Sequence, residues 1–124
     1  MELKSLVKDM SAIDQGRWVD KTEVPGLGDL RVKMRGSHTE SVRKYLADQQ
    51  RAGVEIGAAL GNIIASELLI EIEGLTNGGD PVTADQLRAM LTEPGTEPLQ
   101  FLLLEVMAAV DATRETKALE LSKN

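Results

Sequence analysis

Few residues in this 124-residue chain have the types and spacing that chemistry requires. Glu67 and Glu71 stand four apart. On a helix that spacing puts both carboxylates on one face, where a pair can hold a cation or exchange protons. The default for such a pair is a solvated edge. His38 is the single histidine and there is no cysteine, which excludes a multi-histidine or thiolate metal centre. As a lone general base His38 has no cysteine beside it, and a surface place in the first turn of a helix accounts for it. Arg31, Lys33 and Arg35 alternate and offer a row of cations to an acidic partner or a phosphate. The simpler reading is a solvated strand face whose charge protects a sheet edge. Gly53, Gly57 and Gly61 match neither the dinucleotide-binding glycine pattern nor a P-loop. The Thr76–Pro81 turn has glycine and acid but lacks the alternating acids and closing glutamate of a calcium loop. With no nucleophile, base and orienting group together, the sequence predicts no catalytic residue, no metal ligand, no cofactor and no enzyme.

Composition narrows the partners. A net charge of −6 and a pI near 4.8 argue against nucleic acid and anionic membranes. The apolar runs near Ile63 and Leu102 are broken by glutamate and too short to span a bilayer. Glu2, Lys4, Lys8 and Asp9 leave no continuous apolar run of the signal-peptide kind, so a soluble protein that stays where it is made is expected. Trp18, Tyr45 and Phe101 are the only aromatic residues. A core of Leu, Ile, Val, Ala and Met suits packed helices.

The elements follow from periodicity. Leu3, Leu6, Val7, Met10 and Ile13 recur at helical spacing up to Gly16. Trp18 and Val19 begin a strand, Val24-Pro25-Gly26-Leu27-Gly28-Asp29 reverses the chain, and Leu30, Val32 and Met34 alternate with the three cations. This is a β-hairpin that needs a cover, with Leu30, Val32 and Met34 buried against helix; Trp18 is either an interface anchor or, the favoured reading, a core cap between hairpin and helices. Ser37-x-x-Glu40 has capping-box form and starts a helix near His38 carrying Val42, Tyr45 and Leu46. Either that helix breaks near Ala52–Gly53, the favoured reading, or a neighbouring backbone packs on the small residues. From Val54 to Glu73 the apolar residues predict a central buried helix ending at Gly74. Thr83-x-x-Gln86 opens a short helix with Leu87, Met90 and Leu91, closed by Glu93-Pro94-Gly95. Thr96 caps a last helix with Pro98 in its first turn. Leu99, Leu102, Leu103, Val106, Met107 and Val110 form its broad face, widened by Phe101 and Leu104; from Asp111 the chain turns polar, and the helix is expected to fray before Asn124. The expected fold is α+β, mostly α: one domain over 1–124, with a hairpin at about 17–35 packed on a small bundle of helices at 38–119.

Two segments together resemble a family. One is Gly16-Arg17-Trp18-Val19 with Val24-Pro25-Gly26 and Leu30-Arg31-Val32-Lys33. The other is Leu68-Leu69-Ile70-Glu71-Ile72-Glu73-Gly74-Leu75-Thr76, a Gly-rich acidic turn, Pro81-Val82-Thr83, a short helix through Leu91 and a last apolar helix. Over about three quarters of its length the chain resembles the small tail assembly chaperones of long-tailed bacteriophages and prophages. It departs from them at Glu73, where an aromatic residue is common, and in lacking a longer polar insertion near Gly53–Gly61. The resemblance implies an assembly factor in the host bacterial cytoplasm. Such a factor binds the tape measure protein and keeps it soluble until the tail tube polymerises and tail tube protein displaces it. A longer frameshifted version is often made in the family. A homo-oligomer is compatible with it. The expected contact residues are Leu99, Phe101, Leu102, Leu104 and Val106, an apolar groove for a partner helix. The alternative is a structural virion or connector component, or another minor tail protein, whose hairpin extends a neighbour's sheet.

Overall fold

The computed structural model describes residues 2–37, 40–54, 61–93 and 95–122. The chain forms α1 (Leu3–Gln15), β1 (Arg17–Val19), a 3-10 turn (Pro25–Leu27), β2 (Arg31–Met34) and α2 (Glu40–Arg51). A π-helical turn (Ile64–Leu68) leads into β3 (Leu69–Glu73). The short strands β4 (Thr76–Asn77) and β5 (Asp80–Pro81) precede α3 (Ala84–Met90) and α4 (Glu97–Ser122). The fold is α+β and mostly helical. Its sheet has three antiparallel strands in the order β1-β2-β3.

The alternation in β2 acts as expected. Leu30, Val32 and Met34 are buried, and Val32 faces Val19 on one side and Ile72 on the other. The connection from β1 is more than a turn. Val24, Leu27 and Leu30 enter the core from it, so the loop supplies apolar burial of its own. Arg17 holds its base, donating to both Glu23 oxygens at 2.7 and 2.6 Å and to the Ala109 carbonyl of α4 at 3.3 Å.

The largest correction is β3. The expected helix over 54–73 is helical at 61–63, continues as the π turn, and then becomes strand at Leu69. Residues 55–60 lie outside the described part. The run Leu69-Ile70-Glu71-Ile72-Glu73 satisfies helical and alternating periods alike, and two of its residues are β-branched. What decides is the partner strand. Arg31 stands opposite Glu73, with Nη1 2.8 Å from its carboxylate, and Lys33 stands opposite Glu71. Opposite charges facing across a ladder stabilise it by about 0.2–1 kcal/mol each. Glu67 and Glu71 therefore do not share a helix face.

The β2–β3 register shifts between Lys33 and Met34. At the β3 end of this shift, Arg88 of α3 donates from Nη2 to the carbonyls of Leu69 (2.8 Å) and Ile70 (3.0 Å). Gly74 ends β3 at φ 84°, and a Cβ there would lie 2.1 Å from the Asp29 carbonyl oxygen. Both the left-handed backbone and the close approach require glycine. Gly78 and Gly79, both with positive φ, join β4 to β5 in a two-residue loop, as the I′ turn geometry demands.

Trp18 is corrected too. It pairs with Lys33 on the sheet face away from Val19, half-buried, with the Arg31 guanidinium 4.9 Å from its ring centroid. It caps the outer face of the sheet and not the core. α2 ends at Arg51 and Gly53 takes φ 73°, so the break near Ala52–Gly53 is present. Gly61 follows the other reading, close against Gln100 and the Leu91 carbonyl. His38 and Thr39 lie outside the described residues, and α2 is described from Glu40. The expected Ser37–Glu40 capping box is corrected, because Ser37 turns to α4 instead. The Ser37 hydroxyl and N–H both donate to Asp111 of α4, at 2.7 and 2.8 Å. The Thr83 capping box is complete: Thr83 Oγ1 accepts from the Gln86 N–H at 3.1 Å, and Gln86 Oε1 accepts from the Thr83 N–H at 2.9 Å.

One core joins these parts. Val19, Val32, Met34, Leu69 and Ile72 line the inner sheet face, with Leu103, Val106 and Val110 of α4 and Leu87 and Leu91 of α3 packed into the same cluster. Burying each such side chain contributes about 1.5–3 kcal/mol. Among the described residues no helix is long and apolar enough to cross a membrane.

Candidate partner-binding surface

The five residues expected to contact a partner lie on α4, and the helix sends them in different directions. Val106 is 0% exposed and sits inside the core, so it is not part of any surface. Leu99 and Leu102 are half-buried against the core, and the 3-10 turn covers Leu102, whose Cδ1 lies 3.1 Å from where a Cβ on Gly26 would be. Leu104 is half-buried. Phe101 is 66% exposed. The inner face of α4 is thus Leu103, Val106 and Val110, and the face turned outward begins at Phe101.

That outward face continues past Asp111, where the sequence turns polar, because α4 runs to Ser122, in line with the expected fraying before Asn124. Asp111 itself is held by Ser37, and Arg114 Nε donates to Asp14 of α1 at 2.9 Å, so two neighbouring elements hold this half of the helix. At 3.6 residues per turn, Leu119 lies about five turns beyond Phe101, on the same line and about 27 Å away. Ala108 and Ala112 fall between them, within about 20° of that line. All four are exposed, Leu119 by 61%. The result is an apolar stripe with a large side chain at each end and a shallow floor of alanine in the middle.

Carboxylates border it. Glu97 and Glu115 lie on one side of the stripe and Glu105 on the other, all exposed. Among the described residues no ion pair forms at any of the three. The cations of this half of the helix point elsewhere: Arg114 turns to Asp14, and Lys117 lies almost opposite the stripe by helical angle.

No family model, curated protein or solved structure matches this chain.

A second exposed apolar pair, Leu3 and Val7, lies one turn apart on α1, at 59% and 58%. Between the β4–β5 hairpin and α3 lies an open depression of about 390 Å³ with Val82 and Met90 in its lining. Its polar residues, Asn77, Asp80 and Gln86, do not form a charged cluster. On the outer sheet face Arg31 is already engaged by Trp18 and Glu73. Near the base of the sheet, the hydrogen bonds from Arg17 hold the Glu23 carboxyl below its ordinary range, and those from Thr22 do the same for Asp20. The Arg17 guanidinium is in turn raised by the Glu23 hydrogen bond. These are structural pairings. Among the described residues no three His, Cys, Asp or Glu side chains gather around one point.

Sequence reasoning identified Phe101 and Leu104 and missed Ala108, Ala112 and Leu119. The signal was present in the spacing of Phe101 and Leu119 on one helical line. The polar composition after Asp111 hid it.

Proposed function

We propose that this protein is a bacteriophage tail assembly chaperone. In this reading it binds an apolar helical segment of the tape measure protein along α4. It keeps that segment soluble in the host bacterial cytoplasm until the tail tube polymerises and tail tube protein displaces the chaperone. It acts by binding and carries out no catalysis. The single observation that supports this most is Phe101, two-thirds exposed at the head of an apolar stripe on a helix whose inner face already fills the core. An ordinary surface helix needs an apolar face on one side only. A second apolar line facing water has no role in the fold of a single chain and suits a helix laid in a groove. The resemblance at Gly16–Lys33 and Leu68–Thr83 supplies the class of partner.

The alternative, a structural component that adds its hairpin to a neighbour's sheet, has less support. The free edge of that hairpin is β1, because β2 lies between β1 and β3, and β1 is only three residues long, a short template for another strand.

Co-expression tests the proposal. A tape measure fragment should be soluble with this protein and aggregate without it. Phe101→Ser with Leu104→Ser should abolish the rescue while unfolding stays cooperative. A fragment that aggregates equally in both cases moves the structural-component reading ahead.

A further inference from the structure

We infer that the α4 stripe selects its helix by charge and by side-chain size: the client carries lysine or arginine on both flanks of its apolar face. It also places large apolar side chains over Ala108 and Ala112 and small ones over Phe101 and Leu119. This rests on the reading of the stripe as a client seat and adds what that client must look like.

The charge rule comes from the borders. Glu97 and Glu115 on one side and Glu105 on the other are exposed; among the described residues none of the three forms an ion pair, and no described cation of α4 borders the stripe by helical angle. The chain as a whole carries −6. A helix with acidic flanks is repelled along its full length, whereas a basic-flanked helix meets an opposite charge on either side. The same borders disfavour a second copy of α4 as the occupant, because two such stripes bring carboxylates to carboxylates with no cation between them.

The size rule comes from the floor. Packed helices interdigitate, with large residues of one over small residues of the other. Phe101 and Leu119 project at the two ends and the alanines leave a shallow middle, so a complementary helix is bulky in its centre. With about 27 Å between the end residues, it needs about 18 residues of continuous helix to touch both.

Two synthetic helical peptides of equal length and equal apolar face, one lysine-flanked and one glutamate-flanked, test this by calorimetric titration into the full-length protein. The lysine peptide should bind about tenfold tighter at low salt, the sum of a few exposed charge pairs, with the gap narrowing as salt is added. Glu105→Lys with Glu115→Lys should reverse the preference at unchanged melting temperature. A lysine peptide whose bulky residues are moved to the ends should bind more weakly. Equal affinity for both peptides, or no binding of either, overturns the inference. If the tape measure fragment is nevertheless kept soluble, the chaperone reading survives that result. If the lysine peptide is preferred but the fragment aggregates, the seat stands and the chaperone reading fails. A mass by light scattering that falls from dimer to monomer on Phe101→Ser assigns the stripe to a second copy and also overturns the inference.

Discussion

β3 and the outer stripe of α4 are both apolar runs punctuated by glutamate, and they treat the glutamates in opposite ways. In β3, Glu73 is paired with Arg31 and Glu71 faces Lys33, so the acids are answered within the chain and help specify which strand lies beside which. Along α4, Glu97, Glu105 and Glu115 have no ion-pair partner among the described residues, and Phe101, Ala108 and Ala112 between them face water. Internal pairing belongs to the part that holds the fold together. In the proposed reading, exposed charge beside exposed apolar surface belongs to the part that meets a partner. If the proposal holds, the contrast separates stability from binding, and substitutions in the two regions should separate in the same way.

The largest effect is expected at the centre of the sheet. Val32 is fully buried between Val19 and Ile72, so Val32→Asp buries a charge with no partner and should lose about 4 kcal/mol or more in chemical denaturation. An unchanged midpoint would place the strand outside the cooperative unit. At Gly74 an alanine must adopt φ 84° with its methyl group against the Asp29 carbonyl, which should cost about 3 kcal/mol. Gly78→Ala is the control: its φ is also positive, but the space around it is open, so its loss in the same titration should be clearly smaller.

Arg88 is next. Arg88→Met keeps the apolar stem and removes the donors to the Leu69 and Ile70 carbonyls, with an expected loss of about 2 kcal/mol. Amide hydrogen exchange should speed up first in β3. Protection unchanged there would mean that the register shift holds without it.

A smaller effect follows pH. Because the Arg17 hydrogen bonds depress the Glu23 carboxyl, the unfolded chain binds more protons at this group than the folded one in mildly acidic solution. Its contribution is complete above the ordinary glutamate value of 4.5 and is lost as the pH falls below that through the depressed folded value. The pair is partly exposed, 25% at Arg17 and 38% at Glu23, so the contribution is about 0.5 kcal/mol. Glu23→Gln should remove that part of the acid dependence of the melting temperature. The smallest change in stability is expected for Phe101→Ser, within about 0.5 kcal/mol, together with loss of client rescue. A large destabilisation there would erase the distinction between the two regions.

Much of the fold was legible in the residues. The β2 alternation, the Thr83 capping box, the glycine turn at 78–79 and the break at Gly53 are local devices, set by backbone sterics and hydrogen bonds within a few residues. The α+β class follows from them. Three things were not legible. β3 reads equally well as the end of a helix until Arg31 and Lys33, some forty residues earlier, are placed beside it. Trp18 could cap either sheet face, and only the pairing with Lys33 decides which. The apolar residues of α4 extend around more than one side, so no pattern within the helix says which side is core. The sheet makes that choice by covering Leu103, Val106 and Val110, which takes Val106 out of the candidate site and leaves Phe101 and Leu119 outside. Sequence alone determined the periods and the turns, because those are set by neighbours along the chain. The tertiary structure decided which face of each element is buried, because burial depends on partners that only folding brings together.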